Sequence, residues 1–155
     1  MKKIVILFIC ALVLCCVGCN KRGVTNMHNM VHGEQSMSTV ETCIVTGAYK
    51  AGWQIEKLYG GVFEATYVVK DRRDYDEQAA IVNIHYSRDS YFIEYKNSVM
   101  MNYNETRNTI HMDYNKWVRQ LDTAIQNELA AAELDARAAR GVYQAGEYDP
   151  SVFGR

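Results

Sequence analysis

The sequence has no surplus of charge of one sign, and it is poor in proline. Its 155 residues include 17 basic and 18 acidic side chains, which give a formal net charge of −1 at pH 7. This balance, without a long run of like charge, argues against nucleic acid as a main partner. Eleven tyrosines accompany a single proline, Pro150. Such a composition favours a small half-buried sheet, in which a tyrosine ring packs inward while its hydroxyl reaches water.

Cysteine is scarce beyond the first 19 residues. Four of the five cysteines lie within residues 1–19, and the fifth is Cys43. If the N-terminal segment is removed and Cys19 is modified, Cys43 is the only free thiol left, which excludes an internal disulfide. Cys43 falls on the apolar side of a predicted helix, so we expect a buried core residue rather than a redox-active thiol.

A long apolar run stands at the N-terminus. Lys2 and Lys3 precede the apolar segment from Ile4 to Val17. This segment has the length of an export signal and is short for a membrane-spanning helix of roughly 20 residues. The sequence therefore predicts a cleaved signal peptide at residues 1–18.

The end of this segment predicts a lipid anchor. Val17-Gly18-Cys19 resembles the end of a bacterial lipobox, in which small residues precede the cysteine that receives a diacylglyceryl group. Cys16 stands where leucine is usual, and cleavage before Cys15 or Cys16 is the alternative. We expect lipid attachment at Cys19, which makes the membrane a partner. Asn20, in place of aspartate, favours the outer membrane facing the periplasm if the organism has two membranes. With a single membrane, the same lipid signal would place the domain on the outer cell surface.

The remaining 137 residues are enough for one small domain but too few for two independent cores. Residues 19–37 are polar and aperiodic, which predicts a flexible tether with a reach of about 25 Å. His28 and His32 could share a helical face there, but they lack a third ligand, and we expect no metal. The domain itself is predicted over 38–130. Residues 131–155 are predicted to form a helical extension and then a disordered tail.

Two helices are predicted, one at each end of the domain. Ser38-Thr39-Val40-Glu41 fits a capping box, and Gly52 offers a stop signal, so the first helix is predicted over about 39–51. The second is predicted to begin at about 109 or 110 and to end before Gly141. Its apolar stripe comprises Tyr114, Trp117, Val118, Leu121, Ile125 and Leu129. Trp53 and Trp117 are expected to pack in the core.

Four strands are predicted between the helices, over 53–59, 62–70, 79–86 and 91–96. The first two are joined by Gly60-Gly61, a two-residue link typical of a tight hairpin. Helix, four strands and helix with short connections predict an α+β two-layer sandwich, a four-stranded antiparallel meander covered by an N-terminal and a long C-terminal helix. On the wetter face, an apolar patch would favour a protein partner or self-association; it comprises Val62, Val68, Ile81 and Phe92.

Several motifs resemble a family of small bacterial lipoproteins of the outer-membrane type whose role is uncharacterised. The matching residues are Ile84-His85-Tyr86, Ser90 to Ser98, Ile110 to Val118 and Leu121, with Gly52-Trp53 and the run from Gly61 to Thr66 upstream. The resemblance covers roughly residues 40–130. It implies an envelope lipoprotein and assigns no activity.

The best candidate for a polar site lies where the fourth strand ends and the long helix begins. It comprises His111, Tyr114, Asn115, Tyr95 and Ser98. A histidine beside hydroxyl groups can act as a general base, but the only nearby acid is Asp113 and no oxyanion donor is evident. We therefore expect a non-enzymatic binding or assembly module without a cofactor. The alternative is a small periplasmic enzyme or ligand carrier that uses these five residues.

Overall fold

The computed structural model describes residues 21–33, 35–70 and 77–146, and for 142–146 it describes the backbone alone. The predicted signal peptide, Cys19 and the tail after residue 146 lie outside the described residues. In chain order the elements are β1 (Lys21–Gly23), β2 (Met27–Met30), α1 (Met37–Lys50), β3 (Gln54–Tyr59), β4 (Val62–Lys70), β5 (Glu77–Tyr86), β6 (Ser90–Val99), β7 (Thr109–His111) and α2 (Met112–Gly146).

Five strands form one antiparallel sheet in the order β2-β6-β5-β4-β3, and β1 pairs with β7 in a separate two-stranded sheet. Both helices pack on one face of the larger sheet, where Ile44 of α1, Val82 of β5 and Leu121 of α2 are fully buried. The predicted α+β two-layer sandwich is therefore confirmed, with one more strand in its main sheet and a second small sheet beside it.

The inward face of the sheet was predicted correctly. Alternate residues of β4, β5 and β6 enter the core, as do both tryptophans, which are only 1% (Trp53) and 8% (Trp117) exposed. The hairpin between β3 and β4 turns at Gly60-Gly61, where Tyr59 pairs with Val62. Gly61 has a φ of 83°, and a Cβ there would lie 3.1 Å from the carbonyl oxygen of Tyr86. Glycine is therefore required at this turn for conformation and for space.

The segment predicted as a flexible tether contains β1 and β2, which corrects the tether prediction for residues 21–33. Backbone pairing holds both strands, β1 on β7 and β2 on the outer edge of β6. Val31 and Gln35 are buried at 8% and 7% exposure. Each strand is too short, at three and four residues, for an alternating pattern to reveal it in the sequence.

Helix α1 starts earlier than its capping box predicted. Ser36 is the N-cap, and its hydroxyl accepts a hydrogen bond from the backbone N–H of Thr39 at 3.0 Å. At the other end Gly52 has a φ of 81°, which confirms the predicted stop. Gly47 lets α1 approach α2 closely, because a Cβ there would lie 2.8 Å from the Cα of Ile125.

Helix α2 begins at Met112, after β7, rather than at 109 or 110, and it continues past Gly141. Its 35 residues span about 52 Å at 1.5 Å per residue. A glycine inside a helix lowers the stability of the helix by only about 1 kcal/mol relative to alanine. The high helix propensity of the surrounding alanines offsets this loss. Among the described residues, no helix is both long enough and apolar enough to cross a membrane.

Candidate functional site

The structure brings together three of the five residues of the predicted polar site. The hydroxyls of Tyr95 and Ser98 lie 3.1 Å apart, and the Tyr95 ring packs edge-on against Tyr114 with centroids 5.5 Å apart. Tyr114 is completely buried, and burial raises the pKa of its hydroxyl. Among the described residues this hydroxyl has no hydrogen-bond partner. Tyr114 therefore contributes a ring to the core and presents no group to a ligand in solution.

Asn115 is held by the backbone of the β1–β2 connection. Its Nδ2 donates to the carbonyl oxygen of Gly23 at 2.7 Å, and its Oδ1 accepts from the N–H of Thr25 at 3.0 Å. His111 contacts Asp113, with Nδ1 3.3 Å from Oδ2. Both ends of the Asn115 amide are thus used to fix the chain entering β2. Of the two clefts described below, neither is lined by the predicted site residues.

A buried carboxylate lies in the middle of α2, and the sequence analysis did not single it out. Asp122 is 8% exposed, and its Oδ1 accepts hydrogen bonds from Tyr91 of β6 at 2.7 Å and from Asn29 of β2 at 2.5 Å. Its Oδ2 accepts from Gln126 at 2.9 Å. Burial raises the pKa of Asp122, and the bonds from Tyr91 and Asn29 offset this only in part. We call these four residues the carboxylate cluster.

A cleft of about 290 Å³ opens beside the carboxylate cluster. Asn29 and Gln126 form its polar wall, His32 and Glu133 contribute further polar groups, and Met30 and Leu129 are among its apolar residues. The two amides are already engaged, since Gln126 Nε2 donates to both Asp122 and Asn29. These hydrogen bonds therefore hold β2 against α2 and leave few polar groups of the cluster available to a ligand.

A second, larger cleft of about 630 Å³ lies between the end of α1 and the first half of α2. We call it the basic cleft; its lining includes Lys50, Tyr67, Lys116, Arg119, Thr123 and Asn127. The Tyr67 ring packs against Trp53 and Trp117, with centroids 5.4 and 5.0 Å away. Three cations and an aromatic ring thus face one open space, and no carboxylate lines it within the described part of the chain.

Two of these cations have no carboxylate partner among the described residues, whereas the third is neutralised. Lys50 contacts Glu128 at 2.6 Å. Lys116 and Arg119 form no ion pair with any residue of 21–33, 35–70 or 77–146. Spacings of three, four and seven residues place Lys116, Arg119 and Thr123 on one side of α2. An anionic ligand would meet there a hydroxyl and two cations that pair with no carboxylate of the described residues.

The outer face of the sheet is less apolar than predicted. Phe92 and Val62 share a row with His85, and Ile81 and Val68 lie further along, as the predicted patch requires. A polar row separates the two pairs; it comprises Glu94, Asn83 and Glu64. Glu94 lies 3.3 Å from His85, and Glu64 pairs with Lys96. The face therefore lacks the contiguous apolar surface expected of a docking site, and Val62 is itself buried.

Cys43 is buried, as predicted, and burial raises the pKa of its thiol, which disfavours the nucleophilic thiolate. No group of three or more His, Cys, Asp or Glu side chains suited to a metal ion occurs among the described residues. No protein-family model and no curated protein matches the chain. The resemblance to small bacterial lipoproteins therefore stays a prediction, and the case for a site depends on geometry.

Proposed function

We propose that this chain is a lipid-anchored envelope protein whose domain is a non-enzymatic binding module, and that it binds an anionic envelope component in the basic cleft. The observation that carries the proposal is the gathering of Lys50, Lys116 and Arg119 around one open space that no carboxylate of residues 21–33, 35–70 or 77–146 lines. The chain as a whole has a net charge of −1, so the cleft differs from the average surface.

The chemistry of the cleft favours a phosphate or carboxylate group. The Arg119 guanidinium can donate two parallel hydrogen bonds to such a group, while the Lys116 ammonium supplies a point charge. Thr123 and Asn127 add neutral donors, and Tyr67 offers a ring face for an apolar part of the ligand. The space has a volume of about 630 Å³ and is widely open to solvent.

The placement in the envelope depends on the sequence. Residues 1–18 are read as a signal peptide and Cys19 as the acylated residue, in the outer membrane if there are two membranes. Intact mass measurement of the protein isolated from membranes of its native host tests this directly. We expect an N-terminus at Cys19 carrying the acyl groups, and Cys19→Ser should abolish both the acyl mass and cleavage at this position. An unmodified Cys19 would remove the lipid anchor from the proposal.

The alternative, an enzyme or ligand carrier using His111 and its neighbours, has weaker support. Tyr114 is inaccessible and Asn115 is engaged at both ends of its amide. Only His111, Tyr95 and Ser98 remain as groups that could meet a substrate. They form a smaller polar set than the basic cleft presents.

Binding to the basic cleft can be tested with pyrophosphate as a probe. Isothermal titration of the full-length protein in detergent at low salt should detect binding, and Lys116→Gln combined with Arg119→Gln should weaken it about tenfold or more, since a hydrogen bond to a charged group contributes about 1.5–3 kcal/mol. Arg140→Gln is the matched control, because Arg140 is an exposed cation of the same helix outside the cleft. Equal affinity of the double variant and the control, or no binding at all, would contradict the proposal.

A further inference from the structure

The described part of the chain begins only a short distance in sequence from the predicted lipid. β1 starts at Lys21, only two residues after Cys19. Two residues span at most about 7 Å, so a diacylglyceryl group on Cys19 would hold the start of β1 at the membrane surface. The distance contrasts with the reach of about 25 Å that an 18-residue tether would have. The side of the domain that contains Lys21 is therefore the side closest to the lipid.

Exposed apolar side chains gather on that side. Lys21 pairs with His111, and the N–H of His111 donates to the carbonyl oxygen of Met101 at 2.8 Å. The residues that flank this contact, Met100 and Met112, are 58% and 45% exposed. Val99, which ends β6 just before Met100, is 47% exposed. Three of the large exposed apolar side chains thus lie beside the point where the chain meets its anchor.

The backbone at Met100 adds an independent observation. Met100 has a φ of 53°, in the left-handed region that side chains other than those of Gly, Asn and Asp rarely adopt. With 58% of its surface exposed, the unbranched Met100 side chain buries less than half of its surface in the domain. Strain of this kind is maintained at functional positions more often than elsewhere.

The charges of this side match an anionic surface. Lys21 and Arg22 are exposed, and both lie in β1. Asp113, at the start of α2, lies beside His111, with its Oδ2 3.3 Å from Nδ1. Cations beside exposed apolar groups are the combination found on surfaces that lie in the headgroup region of a bilayer, where the charges meet phosphates and the apolar groups reach the acyl boundary.

We propose that the surface formed by Lys21, Arg22, Val99, Met100 and Met112, the anchor face, lies directly on the lipid headgroups, and that α2 leads away from the leaflet. This deepens the proposed function and rests on acylation of Cys19. The lipid then does more than tether the domain: it fixes which side faces the membrane. The distal half of α2 is far from the anchor face, because Leu134 is about 33 Å along the helix from Met112.

Depth-dependent fluorescence quenching tests this orientation. The full-length acylated protein is reconstituted into vesicles of phosphatidylethanolamine and phosphatidylglycerol that contain lipids with a nitroxide in the headgroup region. An environment-sensitive dye is attached at Met100→Cys, at Met112→Cys or, as the control, at Leu134→Cys, each with Cys43→Ala. Leu134 is 65% exposed on the distal half of α2, so it is as accessible to dye as the two test positions. We expect a blue shift and quenching at 100 and 112 and neither at 134.

The outcomes separate this inference from the proposed function. Mass measurement of the same samples reports whether Cys19 is acylated. An unmodified Cys19 would contradict the lipoprotein proposal, whatever the quenching data show. With acylation present, equal signals at all three positions would overturn the anchor face. A blue shift that depends on protein concentration rather than on lipid would show that a second copy covers the face, and would overturn it too.

Lipid charge provides the second arm. Replacing phosphatidylglycerol by phosphatidylcholine should reduce quenching at position 100, because Lys21 and Arg22 lose their anionic partners. Lys21→Gln with Arg22→Gln should reproduce that loss in the original vesicles, while Lys57→Gln, which changes a cation of β3 paired with Glu41, should not. If quenching at position 100 stayed the same after the lipid exchange and in the Lys21→Gln, Arg22→Gln variant, the role assigned to the two cations would be refuted.

Discussion

The two halves of α2 share one continuous backbone but have opposite surroundings. In the first half, Val118, Leu121 and Ile125 are completely buried against the sheet and α1. In the second half Leu134 is 65% exposed, and Glu133 pairs with Arg137 at 2.5 Å. The first half is held by burial, whereas the second depends on the helix propensity of its alanines and on such i, i+4 pairs. Matched substitutions in the two halves should therefore have different, and in one case opposite, effects.

The largest expected effect is at Ile125. Ile125→Ala should lower the free energy of unfolding by about 2–5 kcal/mol, because it removes buried methylene groups and leaves a cavity between α2 and α1. Urea denaturation followed by circular dichroism measures this. Leu134→Ala is the matched change in the distal half and should stay within about 0.5 kcal/mol of the original chain. Similar losses at both positions would show that the distal half is packed against something in solution.

The helical glycines give the second contrast. Gly47→Ala should destabilise by about 1–3 kcal/mol, since a Cβ would lie 2.8 Å from the Cα of Ile125 and would push the helices apart. At Gly141 nothing lies within 4 Å of a Cβ, so Gly141→Ala should stabilise by up to about 1 kcal/mol through helix propensity.

The denaturation midpoints of the two glycine variants should move in opposite directions. A shift of the same sign in both would mean that the close approach at Gly47 relaxes without loss. The contrast of the two halves would then be weaker than the contact distance implies.

The core was predictable from the sequence because its signals are long and repetitive. Alternation over eight or more residues identified β4 and β5, and the stripe from Tyr114 to Leu129 identified the packed half of α2. These patterns indicate directly which side chains are buried in the core. The end of α2 was not predictable in the same way, because a glycine at 141 looks like a stop until the local helix propensity is weighed against its cost.

The short N-terminal strands and the carboxylate cluster carried no usable signal. β1 and β2 exist because β7 and β6 offer edges to pair with, and an edge is a property of the folded chain. The cluster joins Asn29, Tyr91, Asp122 and Gln126, which are separated by up to 97 positions in the sequence. The basic cleft was missed for the same reason, since Lys50 and Tyr67 meet α2 only after folding. Lys116 and Arg119, two cations three residues apart in the predicted helix, were the one hint in the sequence.

The carboxylate cluster provides the third contrast between the halves. Asp122→Ala should destabilise by about 1–2 kcal/mol, because it leaves the buried Tyr91 hydroxyl without its acceptor and removes one acceptor of the half-buried Asn29 amide. Asp135→Ala in the exposed half should have almost no effect. Asp122→Asn keeps an acceptor oxygen, so we expect a smaller change. Denaturation curves at neutral pH rank the three variants, and equal losses for Asp122→Ala and Asp122→Asn would contradict the role of the acceptor.

The same cluster predicts a dependence on pH. The pKa of Asp122 is raised by burial, so the folded state binds this proton more tightly than the unfolded state does. The contribution of Asp122 to stability therefore falls as the pH rises from the ordinary aspartate value of 3.8 through the raised value. Asp122→Asn removes this titration, and its stability relative to the original chain should increase over that interval and then level off. A difference that does not change with pH would show that the carboxyl is adequately solvated.

The smallest expected effect is at Tyr114, and it shows that burial in the first half of α2 does not make every group stabilising. Among the described residues the Tyr114 hydroxyl has no hydrogen-bond partner, whereas the hydroxyl of Tyr91, almost equally buried, donates to Asp122 at 2.7 Å. Tyr114→Phe should therefore be neutral or stabilise by less than about 1 kcal/mol, while Tyr91→Phe should destabilise, because it removes a bond to a charged acceptor. Comparison of the two variants in urea isolates the hydroxyl, since both retain the ring and its packing. A clear loss of stability in Tyr114→Phe would mean that this hydroxyl finds a partner, a buried water for example, and that the core at this point is wetter than its contacts indicate.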